Sequence, residues 1–562
     1  MSITTMNRKW RQSLSLLVGL YLTAGVGLTY GASPGDFKTD EYKFNTGLSL
    51  INAADAYALG FTGKGVVLGV ADQYVNFAHS EFAAKGNSGT IELVPVTYDW
   101  ATMDHGTHVG GIMAAAKNNQ GMHGVAFDAD LLSGEMKFTR DFINSVQISY
   151  QAYLADKRIK SINNSWGSNY YYDVNKAGFD DAEFREVGDI LENAIRHDKV
   201  LVFAGGNSGH PTPGGEGMLP YLRPAMAKNF INVVSVDPAK FNSDSKKAET
   251  NFVSVFSDLA KYVEENSIAA PGDTIWSAYA ASKDKYLAMS GTSMAAPHVT
   301  GVAGLVQQAF PYMSGRQITD TLLSSANKTF PLPAYTITMQ EDSKDDKSIV
   351  VKANLYYFGP KPDDEKTIRD NLTAYYTANE TRLKKWYYYQ SAEAFVTDAL
   401  KTGTIYSNVP REMIVGQGLL DAGAAVRGPG FLNARRMDSS NIFSQYSTDD
   451  RSQALYKVDT QGYDSAWSND IRETKAGLLA PPVDPEKPSD LEAIYTYYIE
   501  SDKILSAEKG AKFDQGLTYI NDYNARYKVG GKAEGLLGLD VGLYKSGEGI
   551  LILSGSNQYK GT

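Results

Sequence analysis

Apolar positions in this chain gather into short unbroken runs, each closed by small or polar residues. In "GKGVVLGVADQYVNFAHSEF", Val66 to Ala71 is nearly continuous and ends in Asp72. Such a run, too short for a helix and without alternation, predicts a strand buried on both faces. "KSINNSWGS" gives a second strand ending at Asn164 to Gly167, and "KVLVFAGGNSG" a third, Val200 to Ala204, ending in Gly205, Gly206 and Asn207. Helical patterns lie between and after them, including "HGTHVGGIMAAA" from His105 and the alanine-rich run after Ser293. Strands alternating with helices predict an α/β fold: a central parallel sheet with helices on both faces. Ligands of such sheets sit outside the carboxyl ends of the strands, which puts Asp72, Ser165 and Asn207 on the edge where a site is built.

The flanks read differently. Arg8, Lys9 and Arg11 precede an apolar stretch, Leu14 to Leu28, and small residues follow to Ala32. That is the layout of a secretory signal peptide over residues 1–31, with an apolar core short for a membrane span. Around 330–411 lies an insertion with acidic loops, "EDSKDDKS" and "PDDEK", and the aromatic run "WYYYQ". These loops lack the spacing of an EF-hand, so a solvated surface is expected and structural calcium is not supported. "LLAPPVDPEKPSD" is a proline-rich linker, Leu491 to Tyr527 reads as helical and Tyr-rich, and Ile550 to Leu553 is a short strand between glycine turns.

Composition narrows the chemistry. With 562 residues there is room for one large domain and further modules, and 43% hydrophobic content suffices for a packed core. A net charge of -10 argues against a nucleic-acid partner, which needs a basic face. The chain has no cysteine, so disulfides, thiol nucleophiles and cysteine metal sites are excluded.

"SGTSMAAPHVTGVAGLV" opens a helix with more hydroxyls than a cap requires, and one of them, Ser293 or Ser290, is expected to face something other than its own backbone. A serine becomes a nucleophile when a base takes its proton. Of the seven histidines, His79, His123, His197 and His210 have no hydroxyl cluster alongside, and His298 lies on the serine helix itself. His105 starts a glycine-flanked helix and is the better base; His108, a turn further in, reads as packed. The base needs a buried carboxylate to hold its tautomer, a role that suits Asp72 at a strand end better than the adjacent Asp104.

The order Asp72, His105, Ser293 is that of the subtilisin type. "HGTHVGG", "GTSMAAPHVTG", "NNSWG" and "FAGGNSG" resemble the histidine, serine, substrate-binding and oxyanion motifs of the subtilases, and "GVAFDADLL", "IAAPGDTIWSA" and "GQGLLDAGAAV" also look familial. The resemblance implies a subtilisin-like three-layer fold and a serine endopeptidase working through an acyl-enzyme. Asp72, His105 and Ser293 would be catalytic and Asn207 the oxyanion donor. Ser165, Trp166, Gly167, Ala204, Gly205 and Gly206 would bind substrate, and no metal or cofactor is expected. One departure is that Gln73 and Tyr74 follow Asp72 where the family has Ser or Thr and then Gly.

"GLSLINAADAYALGFTGKG" and the C-terminal glycine turns resemble the autotransporter subtilases. The implied organisation is a signal peptide at 1–31, a short leader at 32–49 and a catalytic domain at 50–428. A linker and helical segment at 429–535 and the start of a β-helix passenger at 536–562 follow. Partners would be protein or peptide substrates and, if the chain is a fragment, an outer-membrane β-barrel translocator. Secretion or surface display on a Gram-negative-type bacterium follows from the same likeness. The competing reading is an inactive subtilase-fold passenger acting as an adhesin. For specificity, a wide slot beside Ala204 to Gly206 predicts large apolar or aromatic P1 residues. Trp166 is expected to favour apolar residues upstream, and Glu216, the nearby acid, is expected on the surface.

Overall fold

The computed structural model describes residues 32–91, 104–137, 141–171, 181–433, 453–474 and 541–559, with Arg436, Ile442 and Phe443 between. Short breaks fall at 84, 87, 243–244 and 346–347. The signal peptide and the Leu491 to Tyr527 helical reading lie outside these residues.

Seven strands form the central sheet: β1 (Val67–Asp72), β2 (Gly89–Ile91), β3 (Asp130–Glu135), β4 (Ile159–Asn164), β5 (Val200–Ala204), β6 (Phe230–Val236) and β9 (Ser267–Pro271). A two-stranded hairpin, β7 (Phe241–Asn242) with β8 (Lys247–Ala248), sits outside it. The order is β2-β3-β1-β4-β5-β6-β9, parallel throughout. Parallel strands bury both faces, and successive side chains go to opposite sides. Leu68, Val70, Val200, Val202, Ile231 and Val233 join one core with the helices Asp104–Ala114 and Thr292–Ala309. Val67, Ala71, Ile162, Leu201 and Phe203 join the other with the helices Phe142–Ala155 and Ala182–Arg196. This is the three-layer α/β architecture. β1 lies between β3 and β4, so the chain reverses its direction of sheet growth there, and the crevice opens at the ends of β1 and β4.

Residues 32–49 do not hang off this body. Tyr42 and Leu48 are buried in the first core, and Tyr42 Oη donates to the Leu48 carbonyl at 3.0 Å. After β9 come the hairpin β10 (Ile275–Ala278) and β11 (Tyr286–Met289), then the inserted module. The module is an antiparallel pair, β12 (Tyr335–Asp345) and β13 (Ser348–Tyr357), with the helices Glu365–Trp386 and Ala392–Thr402 and β14 (Ile405–Tyr406). It has a core of its own around Ile337, Met339, Leu372, Tyr375 and Phe395.

Between 431 and 474 the described chain forms short strands where a linker was expected. Phe431–Asn433 pairs in parallel with Arg472–Thr474, Gln453–Asp459 with Val541–Ser546, and Ser465–Trp467 with Leu551–Leu553. The expected β-helix rung is not confirmed; these short parallel pairs are what the described residues form. They are seated on the three-layer body: Trp467 is fully buried and its indole N–H donates to Tyr312 Oη at 3.1 Å. No helix among the described residues is long and apolar enough to cross a membrane.

Candidate active site

Asp72, the last residue of β1, is 1% exposed, and its Oδ1 accepts the Gln73 N–H and lies 2.8 Å from His105 Nδ1. An ionised carboxylate only accepts, so Nδ1 carries the proton and Nε2 is left as the basic nitrogen. His105 stands in the first turn of its helix, and its side chain is 31% exposed. Burial pulls its pKa down, but the Asp72 charge and hydrogen bond outweigh this and raise it above 6.5. The glycine after it is required by geometry. A Cβ at Gly106 would come within 2.3 Å of the Tyr74 carbonyl, so the turn after Asp72 passes directly over the histidine helix.

The other histidines are occupied. His108 Nε2 is 3.0 Å from the Ile275 carbonyl and 2.9 Å from that of Leu287, and burial drops its pKa to about 3. His298 is buried with Nδ1 2.9 Å from the Met294 carbonyl. His210 stacks on Tyr171 at 3.6 Å. Asp104 accepts the Ala280 N–H at 3.1 Å, while His105 Nδ1 is bonded to Asp72.

The crowd of hydroxyls at the serine helix has a structural answer. Its N-cap, Gly291, makes no side-chain cap, and each hydroxyl instead reaches a different element. Ser290 Oγ donates to Asp273 Oδ1 at 2.9 Å. Thr292 Oγ1 donates to Asn207 Oδ1 at 3.0 Å and accepts the Gly206 N–H at 3.0 Å. Ser293 Oγ donates to the Ser165 carbonyl at 3.1 Å. Pro297 has no N–H, so the Ser293 carbonyl four residues earlier loses its intrahelical donor. Ser165 Oγ takes that place at 2.7 Å. The ends of β4 and β5 are thereby stitched to the start of the serine helix.

Asn207 is exposed, and its Oδ1 also accepts the Thr292 N–H at 2.8 Å. With the oxygen held twice, the Nδ2 end is the one left to serve a substrate. Gly206 cannot be otherwise: its φ is +116°, and a Cβ would collide with Asp258 Oδ2. Asp258, fully buried, accepts the N–H groups of Ser208 (3.0 Å) and His210 (2.8 Å) through Oδ1.

Two expectations about the substrate slot change. Trp166 is 7% exposed and packs edge-on against Phe142 and Phe203, so its ring braces the second core and offers no face to substrate. Glu216 is not on the surface; it is 1% exposed. Its Oε2 accepts the Ser168 N–H at 2.7 Å and its Oε1 the Ser168 hydroxyl at 3.0 Å, while Gly214 N donates to the Gly205 carbonyl at 2.8 Å. The glycine-rich loop therefore spans the two walls of the slot. Burial raises the Glu216 pKa, an effect the bonds from Ser168 oppose. Among the described residues, no group of three or more His, Asp or Glu side chains is arranged to hold a metal.

A family model described as the subtilase family matches residues 63–352, just over half of the chain. The chain is 31% identical over 358 residues to an extracellular serine protease of Serratia marcescens, covering 52% of this chain and 32% of that protein. It is 28% identical over 281 residues to subtilisin DY of Bacillus licheniformis, covering 50% of this chain and 90% of that protein. A solved cold-adapted subtilisin-like serine proteinase aligns at 24% identity with a TM-score of 0.35, over 48% of this chain and 85% of that one. The chain thus spans about a third of the length of the Serratia protein.

Proposed function

The chain belongs to the subtilase family, and from that membership we propose that it is an exported serine endopeptidase using Asp72, His105 and Ser293. The observation that carries the reading is the 2.8 Å bond between Asp72 and His105 at the crevice, with Ser293 opening the helix that β4 and β5 are stitched to. Ser293 Oγ turns from the Ser165 carbonyl to His105 Nε2, passes its proton there, and bonds to the scissile carbonyl carbon. The oxyanion is met by the Ser293 N–H and the Asn207 side-chain amide. His105 then gives the proton to the leaving amine, the C–N bond breaks, and water hydrolyses the acyl-enzyme by the same route reversed. Bonds at catalytic serines often tighten only with substrate, which fits the resting position of Ser293 Oγ.

The substrate backbone lies along Ser165 to Gly167, with P1 entering the slot between Gly167 and Ala204 to Gly206. The flanking acids, Glu216 and Asp258, both accept from neighbouring backbone N–H groups, so large apolar P1 residues are expected. Export agrees with the basic-apolar N-terminus and the extracellular Serratia relative. Display at a Gram-negative-type surface through a β-barrel translocator rests on the autotransporter likeness.

A fluorophosphonate probe tests the reading. It should label the parent on Ser293, and Ser293→Ala should abolish both labelling and peptide hydrolysis. A well-folded parent that does neither would favour the adhesin.

A further inference from the structure

Asn207 and Ser293, the two proposed oxyanion donors, sit on separate elements, a loop and a helix start, and the inserted module touches the segments that flank both. On the Asn207 side, β12 lies along the loop. Met339 N donates to the Val255 carbonyl (2.7 Å), Glu341 N to the Ser208 carbonyl (2.8 Å) and Thr338 Oγ1 to the Gly209 carbonyl (2.6 Å). The approach is close enough that a Cβ on Gly209 would stand 2.2 Å from the Met339 carbonyl. On the Ser293 side, the long helix sends Arg382 into a two-pronged ion pair with Asp273, which is fully buried. Asp273 Oδ1 accepts Ser290 Oγ, three residues before the nucleophile, and Gly291 N donates to the Gly272 carbonyl at 2.8 Å. β12 and the Glu365–Trp386 helix share one core, through Ile337, Met339, Leu372 and Tyr375, so the two grips belong to one body.

We propose that the inserted module is a clamp that sets the spacing of the two oxyanion donors, and that Arg382 is its positioning residue on the nucleophile side. The inference rests on the peptidase reading above. Arg382 touches no reacting atom. It acts by holding Asp273, through which Ser290 and the turn before Ser293 are fixed. Asp273 would otherwise be a buried carboxylate with Asp237 nearby, whose own pKa is pushed up to about 6 by burial and by the Asp273 charge. Without the arginine, such a site releases its hydroxyl partner or shifts to relieve the charge. Transition-state contacts suffer before ground-state binding does, because the oxyanion forms only on reaction.

The test compares the full chain with its Arg382→Gln, Arg382→Lys and Ser290→Ala variants, each followed by fluorophosphonate labelling rate, kcat, KM and melting. Arg382→Gln should lower kcat and the labelling rate together by about tenfold or more, with KM within about threefold. Arg382→Lys, which keeps the charge and loses the fork, should recover part of the loss. Ser290→Ala, which cuts the same link without unpairing a buried charge, should lower kcat by about threefold with unchanged melting. Lys366→Ala, which removes an exposed pair with Asp370 on the same helix, should change neither. A labelling, turning-over parent whose Arg382→Gln and Ser290→Ala variants keep parental kcat overturns the clamp alone. A parent that neither labels nor hydrolyses overturns both readings.

Discussion

Replacing Asn207 with Ala isolates one term of the proposed chemistry. The side chain is exposed, packs in neither core, and makes its described bonds through Oδ1, from Thr292 N and Thr292 Oγ1. Folding therefore loses little, while the oxyanion loses one donor. In a subtilisin, removing that donor costs about 2.7–4 kcal/mol, on the order of 10²–10³ in kcat. KM should stay within a few fold, because the ground-state carbonyl does not call on the amide. Thr292→Val gives an internal check: it removes one hydrogen bond to Asn207 Oδ1 and one from Gly206 N. At about 1 kcal/mol for an aligning bond, it should cost roughly fivefold in kcat. If Thr292 acts through Asn207, its loss should have no further effect in the Asn207→Ala background. Steady-state hydrolysis of a chromogenic peptide by the three variants measures all of this. An Asn207→Ala enzyme within about tenfold of parental kcat, or a Thr292→Val penalty that persists in the double variant, would refute the reasoning.

On the proposed mechanism activity requires neutral His105, whose pKa is raised above 6.5, so the acid limb of kcat/KM should lie above 6.5. The stability that the pair contributes runs the other way: it is fully present below 6.5 and is lost as pH rises through the raised value. Asp72→Asn removes both raising influences, so the limb should move to lower pH while kcat falls by about 10⁴; an unmoved limb would exclude His105 as the titrating base. Glu216→Gln keeps one oxygen for the Ser168 N–H and sets an amide donor against the Ser168 hydroxyl, so the melting temperature should change little and the apolar P1 ranking should persist. Peptide-library cleavage dominated by Lys or Arg and lost in Glu216→Gln would show the carboxylate to be a recognition group instead.

Much of the candidate site's outline was legible because the residues proposed to carry it stand at element ends, where local signals are strongest. Asp72 closes a nearly continuous apolar run, His105 stands in the first turn of a helix directly before Gly106, and Ser293 opens a helix. Trp166 was misjudged although the signal was present. Residues two apart on a strand share a face, so Trp166 lies with Ile162 and Asn164, and Ile162 is in the second core. Glu216 was misjudged for a different reason. Glycine-rich composition reads as an exposed loop, yet here glycine permits close packing: a Cβ on Gly215 would sit 2.6 Å from the Ser168 carbonyl. The loop is dense because its side chains are missing, and burial of the one acid follows.

What the sequence could not carry is pairing across distance. Arg382 reaches Asp273 across 109 positions, and nothing near either residue announces the other. Ile550 to Leu553 read as a strand without a partner; it pairs with Ser465–Trp467, about 86 positions earlier, in a stretch whose composition suggested a linker. Both pairings close long loops whose entropic cost grows only slowly with length, so contact geometry decides them and sequence separation does not. Each region also brings one buried polar contact to the body: Arg382 meets Asp273, and the Trp467 indole N–H donates to Tyr312 Oη. A buried polar atom without a partner costs about 1–3 kcal/mol, comparable to the net gain of several ordinary surface contacts. The C-terminal strands join the main core through Tyr456, Val458, Trp467, Ile471 and Val541, the inserted module packs on the body through Tyr356 and Tyr406, and the buried polar contacts add specificity to that packing. Substitutions at those contacts should matter more than substitutions over the broad surfaces around them.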